Sequence, residues 1–279
     1  MAAEARVRQA SLTSRDGLRL HARVWMVDKP RVWLVIAHGL GEHSGRYDRL
    51  ARAMAGYDIG CCAVDLRGMG ESQGRRGHVD RWQQWVDDYA TFYQSVLDES
   101  DGVEVVPLGH SFGGVLVTTA VLHGAVKAER FVLSNPAFRA TAEVPAWKLR
   151  MARLASRLTP SLTLSNQVDP ALVSRDPAVV EDYRRDPLVH DRLSVRLGTE
   201  WLSAGQEALD RAAEISLPFL LMVSADDRII DPQGSAEFSA RATVDHSMKL
   251  YQGRYHEPFN DLDADQVFAD LAAWLDRRP

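Results

Sequence analysis

One stretch decides the fold: VPLGHSFGGV, at residues 106–115. An apolar run ends at Gly109, and small and apolar residues at helical spacing begin again at Val115. This pattern predicts a strand, a very tight turn and a helix, with Ser111 at the turn. The stretch from Gly109 to Gly113 fits G-x-S-x-G, in which the two glycines let strand and helix pass closely. Such a turn presents the serine hydroxyl above the sheet; the alternative is a glycine-rich turn without chemistry.

Length and composition are those of an ordinary globular protein. The chain has 279 residues, 46% hydrophobic and 25% charged, which suits one large α/β domain or a domain with an insertion. A net charge of −5 argues against a general nucleic-acid binder, so we predict no nucleic-acid partner. No run of 18 apolar residues occurs, and residues 1–8 lack the apolar region of a signal peptide. Cys61 and Cys62 are adjacent in an apolar stretch, which favours reduced core residues and predicts a cytoplasmic location.

Apolar runs separated by turns predict a mostly parallel sheet. Two segments alternate apolar and polar side chains and are typical of an antiparallel pair, at residues 7–13 and 18–27. The continuous apolar run at residues 32–37 predicts a strand buried on both faces. Further strands are predicted at residues 59–64, 103–108, 131–134, 218–224 and 248–251. Segments with helical spacing lie between them, at residues 46–55, 82–99, 115–122, 232–241 and 264–277. The alternation predicts an α/β fold with an eight-stranded, mostly parallel sheet and helices on both faces.

One segment, residues 144–211, interrupts this alternation. It is helical, polar and punctuated by proline, and it contains no convincing strand. We therefore predict a core formed by residues 1–143 and 212–279, with residues 144–211 inserted as a helical cap over the carboxyl ends of the strands. The cap carries an apolar stripe at helical spacing, formed by Trp147, Met151, Leu154 and Leu158. The stripe either packs the cap on the core or lines a tunnel for an acyl chain.

A serine hydroxyl becomes a good nucleophile when a base takes its proton and an acid orients that base. When a serine sits at a turn of this kind, the acid follows a late strand and the histidine follows the last strand. Asp226 and Asp227 follow the second-to-last predicted strand, and His256 follows the last one. His246 precedes the last strand and is expected at the wrong end of the sheet. His256 is thus the predicted base, whereas the residues alone leave both aspartates open as the acid.

Acyl transfer also needs N–H donors for the oxyanion that forms on the substrate. The N–H of Phe112, which directly follows the serine, is one predicted donor. The loop after the strand at residues 32–37 begins HGLG, and the N–H of Leu40 is the second; the alternative is a plain glycine turn. The sequence has no His-Glu-x-x-His and no cluster of Cys and His, so we predict neither a metal nor another cofactor.

Five motifs stand out along the chain. They are HGLGEHSGRY at residues 38–47, DLRGMGES at 65–72, GRRGHV at 74–79, GHSFGG at 109–114 and YQGRYH at 251–256. With them the chain resembles the monoacylglycerol lipase and lysophospholipase branch of the α/β-hydrolase superfamily, over nearly its whole length. The resemblance implies the α/β-hydrolase fold. It also selects Asp227, because the family's acid precedes Arg and two apolar residues and lies four residues before another aspartate.

The resemblance also bears on the substrate. It implies a serine hydrolase with Ser111, His256 and Asp227, which cleaves esters of single-chain lipids and above all monoacylglycerols. Tyr183 matches the family segment near the glycerol head group; an ordinary cap tyrosine is the alternative. A general carboxylesterase or lysophospholipase is the alternative activity, and a non-catalytic binding module of the same fold is a remote one. The sequence departs from the family pattern at three positions, but none is a catalytic group: Met69, Phe112 and Ser224.

The cap also offers a contact with lipid surfaces. Arg150, Arg153 and Arg157 lie around the apolar stripe, where they would meet anionic lipid. We therefore predict a small lipid ester as the substrate and a transient, peripheral contact of the cap with membranes. A solvated basic face is the alternative interpretation of these arginines.

Overall fold

The computed structural model of the chain describes residues 6–141 and 146–277. Two sequence predictions fall outside these ranges: the absence of a signal peptide in the first residues, and the boundary between core and cap at residues 143 and 144. The division into core, cap and core therefore stays our proposal. The cap segment is defined as residues 144–211, described from residue 146.

The described residues form ten strands and eight α-helices. The strands are β1 (Arg6–Thr13), β2 (Arg19–Met26), β3 (Val32–Ala37), β4 (Ile59–Val64), β5 (Glu104–His110), β6 (Phe131–Ser134), β7 (Thr163–Ser165), β8 (Arg192–Ser194), β9 (Phe219–Ser224) and β10 (His246–Tyr251). The helices are α1 (Asp48–Ala55), α2 (Trp82–Glu99), α3 (Phe112–Leu122), α4 (Ala146–Leu158), α5 (Pro177–Arg185), α6 (Val195–Asp210), α7 (Pro232–Arg241) and α8 (Ala264–Leu275).

Eight strands form one sheet in the order β1-β2-β4-β3-β5-β6-β9-β10, and it is mostly parallel as the sequence predicts. Seven of these strands run in one direction, and β2, which pairs antiparallel with both β1 and β4, runs in the other. β3 and β4 begin and end where the apolar runs do, because a strand buried on both faces is continuously apolar. β5 lies between β3 and β6, so its carboxyl end places Ser111 between two neighbouring strand ends.

Helices cover both faces of the sheet, also as predicted. On one face α2, α3, α6 and α7 pack on the sheet through buried side chains that include Trp85, Leu116 and Phe238. On the other face α1 and α8 pack through side chains such as Leu50 and Leu271. The helix α6, which the sequence assigned to the cap, contributes to the first of these cores. The carboxyl end of the cap segment is therefore anchored in the helical layer of the core.

The cap segment contains one element that the sequence did not predict. β7 and β8 pair antiparallel, with Leu164 opposite Leu193, so the expectation of a cap without strands is wrong. Strands of three residues are too short to show an alternating pattern, and no periodicity could reveal them.

The apolar stripe of α4 faces solvent. Trp147, Met151, Leu154 and Leu158 are 64%, 58%, 50% and 73% exposed. Both roles that the sequence suggested for the stripe, packing on the core and lining a tunnel, would bury these side chains, and both are therefore wrong. Among the described residues, no helix is both long enough and apolar enough to cross a bilayer.

Candidate active site

The turn at Ser111 has the strained backbone that its glycine pattern predicts. Between β5 and α3, Ser111 has φ 53° and ψ −118°, a positive φ that non-glycine residues rarely adopt. A Cβ on Gly109 would lie 2.4 Å from the carbonyl O of Gly113. A Cβ on Gly113 would lie 2.0 Å from the carbonyl O of Ala37. The glycines are therefore required by close approach of the backbone, and the tight turn holds the serine at the top of the sheet.

Three predicted residues meet at the carboxyl ends of β5, β9 and β10. His256 Nε2 lies 2.9 Å from Ser111 Oγ, and His256 Nδ1 lies 2.6 Å from Asp227 Oδ2. Asp227 uses its other oxygen, Oδ1, to accept the N–H groups of Ile229 and Ile230 at 2.9 and 3.1 Å. A carboxylate held in this way makes Nδ1 carry the imidazole proton, which leaves Nε2 free to accept the serine proton.

Burial and charge shift the pKa values of His256 and Asp227 in opposite directions. Burial alone would lower the pKa of His256, but the adjacent Asp227 carboxylate outweighs burial and raises the pKa above its usual value of 6.5. Burial would raise the pKa of Asp227, but the charge and hydrogen bond of His256 keep it below the usual 3.8. The acid is thus ionised at neutral pH and favours the imidazolium that forms when His256 takes a proton.

The alternative acid and base, Asp226 and His246, make contacts outside this hydrogen-bonded chain. Asp226 is exposed, and its Oδ2 accepts the N–H of Gly253 at 2.6 Å. His246 begins β10, where its ring stacks on Phe219 with 4.6 Å between ring centroids. The start of a parallel strand is at the opposite end of the sheet from Ser111, which is why the order of residues along the chain discriminated between the two histidines.

The loop that follows β3 is built by its own polar side chains. His38 donates from Nδ1 to the carbonyl O of Gly39 at 2.7 Å and accepts the N–H of Leu66 at Nε2, 2.9 Å away. Glu42 accepts the N–H of Gly39 at 2.5 Å and the hydroxyl of Tyr47 at 2.7 Å. Burial lowers the pKa of His38, so the ring stays neutral and can make both of its bonds. These contacts fix the backbone beside Ser111.

The two predicted oxyanion donors flank the serine. A Cβ on Gly39 would lie 3.4 Å from Ser111 Cβ, so the next residue, Leu40, is on a loop in contact with the nucleophile. Phe112 is the first residue of α3, and a helix leaves the N–H groups of its first turn without intrahelical acceptors. The Phe112 ring packs edge-on between Trp82 and Trp85, with centroids 5.1 and 5.0 Å apart. This packing keeps its backbone N–H in place at the turn.

A cavity of about 410 Å³ opens above these groups. Leu40, Ser111, Phe112 and His256 line it, and so does Tyr183 from α5 of the cap segment. Most of the remaining wall is apolar, and its side chains come from both the cap and the core: Ala137, Val168, Leu172, Val173, Leu193, Trp201, Ile229 and Ile230. Polar side chains also line the cavity, from the core (Glu42, Arg228) and from the cap segment (Asn166, Asp169). A mostly apolar cavity with such polar groups suits a small molecule with an apolar chain and a polar head.

Two carboxylates of the cavity wall, Glu42 and Glu257, belong to an ion-pair cluster around Arg46. The Arg46 guanidinium lies 2.5 Å from a carboxylate oxygen of Glu257 and 3.4 Å from one of Glu42. It also lies 4.7 Å from the centroid of the Tyr183 ring. Burial raises the pKa of the Tyr183 hydroxyl, so it stays protonated and can donate a hydrogen bond at neutral pH. Arg46 and Glu257 were missed as site residues, although both lie in or beside the motifs of the sequence.

The cap segment is hydrogen-bonded to two loops of the site. The N–H of Glu257 donates to the carbonyl O of Val173 at 2.8 Å, next to His256. The N–H of His190 donates to the carbonyl O of Gly41 at 2.9 Å, next to Leu40. Backbone bonds of the cap segment therefore hold both the loop of the predicted base and the loop of the predicted oxyanion donor. Within the described residues, no three His, Cys, Asp or Glu side chains form a group that could hold a metal ion.

Comparisons with known proteins agree with this fold over most of the chain. The Hydrolase_4 family, described as serine aminopeptidase, S33, matches residues 28–263. A monoacylglycerol lipase of Mycolicibacterium smegmatis is 33% identical over 93% of this chain and 93% of its own length. An uncharacterized abhydrolase domain-containing protein of Dictyostelium discoideum is 34% identical over 96% of this chain, which spans 29% of the length of that protein.

A solved structure shows the same similarity in three dimensions. The crystal structure of a Paleococcus ferrophilus monoacylglycerol lipase superposes with a TM-score of 0.80 at 32% identity, and the match covers 97% of this chain and 98% of that one. Both the sequence and the structure thus match along nearly the whole chain. The chain therefore belongs to the serine aminopeptidase S33 (Hydrolase_4) family of α/β-hydrolases, in the branch that contains the monoacylglycerol lipases.

Proposed function

We propose that this protein is a serine ester hydrolase that cleaves monoacylglycerols. The observation that carries the proposal is the hydrogen-bonded chain from Ser111 through His256 to Asp227, which opens into the 410 Å³ cavity. The relatives with matching length that are named monoacylglycerol lipases support the choice of substrate. The apolar wall suits one acyl chain, and the cluster around Arg46 suits a polar head group.

The reaction follows from the geometry. Ser111 Oγ attacks the ester carbonyl carbon while His256 Nε2 takes the hydroxyl proton, and the N–H groups of Leu40 and Phe112 stabilise the oxyanion. The tetrahedral intermediate collapses, His256 gives its proton to the glycerol oxygen, and glycerol leaves with the acyl group still on Ser111. Water then attacks the acyl-enzyme while His256 takes a proton from it, His256 returns that proton to Ser111 Oγ, and the fatty acid is released. Asp227 keeps the imidazole oriented throughout, and these steps require no cofactor.

A series of substrates tests the proposed substrate class. Monoacylglycerols and p-nitrophenyl esters with matched chains of increasing length are to be compared by kcat/KM. Because p-nitrophenolate is a much better leaving group than a glycerol alkoxide, the two series are compared by their dependence on chain length. A monoacylglycerol lipase is expected to prefer long chains on the glycerol ester, whereas a general carboxylesterase prefers short chains whatever the alcohol. Lysophospholipids are the third group, and a preference for them would indicate a lysophospholipase. An aminoacyl p-nitroanilide is the control for aminopeptidase activity. We expect it to be a poor substrate, because the carboxylates of Glu42 and Glu257 are already paired with Arg46 and are not free to bind its amino group.

The pH dependence of kcat/KM reports on the proposed base. His256 accepts a proton only when it is neutral, so activity falls as the pH drops through its pKa. Because the Asp227 carboxylate raises that pKa above 6.5, we expect half-maximal kcat/KM at a pH above 6.5. The measurement is fatty acid release between pH 4 and 9. Burial lowers the pKa of the neighbouring His110 to about 4, so a midpoint near 4 would contradict His256 as the base.

Tyr183 is the proposed contact for the glycerol head group. Tyr183→Phe keeps the ring that packs against Arg46 but removes the hydroxyl. We expect KM for a monoacylglycerol to rise about two- to tenfold, the usual worth of one hydrogen bond, with kcat nearly unchanged. The methyl ester of the same fatty acid, which has no glycerol hydroxyls, is the matched control and is expected to be unaffected. An equal effect on both esters would mean that Tyr183 shapes the cavity and does not bind the head group.

We also propose that α4 makes a transient, peripheral contact with membranes. Its four exposed apolar side chains form a face of the kind that lies in a lipid interface, and the exposed Arg150, Arg153 and Arg157 suit anionic head groups. A cytoplasmic location stays a prediction.

Sedimentation with anionic vesicles tests this contact. We expect binding to weaken in Leu154→Ser/Leu158→Ser, and to weaken about fivefold for each arginine changed to Gln at positions 150, 153 and 157. Hydrolysis of a soluble short ester serves as the control and is expected to be unchanged, because these side chains do not line the cavity. Unchanged vesicle binding in both variants would exclude α4 as the contact.

A further inference from the structure

The side chain of Asn135, directly after β6, is buried where three strand ends meet. Its Nδ2 donates to the carbonyl O of His256 at 2.7 Å and to Ser224 Oγ at 3.0 Å, and its Oδ1 accepts the N–H of Ser224 at 2.7 Å. Both amide hydrogens and the amide oxygen are therefore used, and the residue is fully buried. A satisfied buried amide is rigid, because moving it would leave polar groups unpaired.

The backbone around Asn135 contacts the nucleophile as well. The N–H of Ser111 donates to the carbonyl O of Ser134 at 2.9 Å, and the N–H of Ala137 donates to the carbonyl O of Ser111 at 2.9 Å. Asn135 has φ 41°, in the left-handed region that asparagine tolerates better than most residues. One short turn thus contacts Ser111 with its backbone and His256 with its side chain.

Two hydrogen bonds hold the backbone of His256, and the one from Asn135 is the shorter. The N–H of His256 donates to the carbonyl O of Leu172 at 3.5 Å, compared with 2.7 Å for the bond that its carbonyl O accepts from Asn135. Ser224 leads into the loop that carries Asp227, so the same amide also ties the acid's strand to the base.

We infer that Asn135 is a positioning residue of the site, whose side-chain amide fixes the backbone of His256 so that Nε2 stays within reach of Ser111. The inference rests on the proposed function, because it assigns His256 the role of the base. It predicts that loss of the amide changes the rate of the chemical steps and leaves substrate binding intact, since Asn135 does not line the cavity. The sequence did not indicate this role of Asn135, because a single asparagine after a strand does not form a recognisable motif.

Two variants test the side-chain hydrogen bond of Asn135 separately from its left-handed backbone conformation. Asn135→Asp keeps the shape and an acceptor for Ser224 but puts a carboxylate oxygen against the carbonyl O of His256. Asn135→Gly keeps the left-handed backbone at no steric cost and removes the amide. A misplacement of about 1 Å at a catalytic group costs on the order of a hundredfold, so we expect kcat to fall about ten- to hundredfold in both, with KM within about twofold.

The measurement counts active sites. A fluorophosphonate that reacts with the nucleophile gives the number of competent sites, and kcat is then calculated per titrated site. If Asn135 only stabilises the fold, the variants lose titratable sites and melting temperature but keep wild-type kcat per site, and the inference is overturned. Loss of kcat per site at unchanged KM supports it.

A second readout does not depend on ester hydrolysis. The proton on His256 Nδ1, shared with Asp227 at 2.6 Å, is expected to give a low-field proton NMR signal in the wild-type protein. We expect that signal to broaden or disappear in both Asn135 variants, because a mobile His256 exposes its proton to exchange. An unchanged signal would overturn the inference even if the wild-type protein proved inactive on esters, and its loss would support the positioning role whatever the substrate.

Discussion

Ser111→Ala is expected to lower kcat for ester hydrolysis by about 10⁶-fold, the loss seen when a Ser-His-Asp hydrolase is deprived of its nucleophile. The hydroxyl that disappears is the one that lies 2.9 Å from His256 Nε2 and beside the cavity. Alanine leaves the base and the oxyanion donors in place but gives them no oxygen to activate. Fatty acid release from a monoacylglycerol measures the loss, and mass spectrometry after fluorophosphonate treatment is expected to show an adduct on the wild-type protein and none on the variant.

Folding has to be checked beside this result, because Ser111 sits on strained backbone with φ 53°. Circular dichroism and the melting temperature are expected to be close to those of the wild-type protein, since the change removes one oxygen and no packed carbon. Full turnover by a folded Ser111→Ala protein would show that another group is the nucleophile. A wild-type protein that the probe does not label would instead favour the remote alternative, a binding module without hydrolytic activity.

The two adjacent aspartates provide a matched pair for the second large effect. Asp227→Asn is expected to lower kcat by about 10⁴-fold, because the asparagine N–H₂ faces His256 Nδ1 and favours the wrong imidazole tautomer. Asp226→Asn is expected to stay within about twofold of the wild-type protein. Asp226 is exposed and bonds to the N–H of Gly253, whereas Asp227 is 6% exposed and bonds to His256.

Both variants remove one negative charge from the same loop, so their difference isolates the contact with the base from the general charge of the site. The pH profile adds a second distinction. In Asp227→Asn the carboxylate that raises the pKa of His256 is gone, so residual activity is expected to have its acid limb at a lower pH than in the wild-type protein. A large loss in Asp226→Asn with a small one in Asp227→Asn would reverse our assignment of the acid.

The central sheet could be predicted from sequence because burial on both faces leaves a simple signature. β3 and β4 are apolar throughout, as is β9 up to its last residue, Ser224, and all three sit in a layer that helices cover from both sides. The order of residues along the chain then placed the predicted nucleophile, acid and base at the carboxyl ends of parallel strands, which meet at one edge. The choice between Asp226 and Asp227 needed the resemblance to the family in addition.

What the sequence did not predict depends on contacts between distant segments. Helical spacing showed that Trp147 and Leu158 share a face of α4. The helical period of apolar residues does not show whether that face contacts protein or solvent. The ribbon of β7 and β8 is held by pairing across the cap, and the amide of Asn135 acts through a loop far along the chain. Such features leave no local pattern in the sequence.

The backbone bonds between the cap segment and the site have a consequence for protein engineering. Grafting the cap of a relative onto this core, to give it a new acyl preference, would replace Val173 and His190, whose backbones meet Glu257 and Gly41. The Gly41 contact is tight, because a Cβ there would lie 2.1 Å from the carbonyl O of His190. A chimera that exchanges residues 146–211 alone therefore mismatches two loops of the recipient. The unit to transplant is the cap together with the loops of residues 38–47 and 252–262.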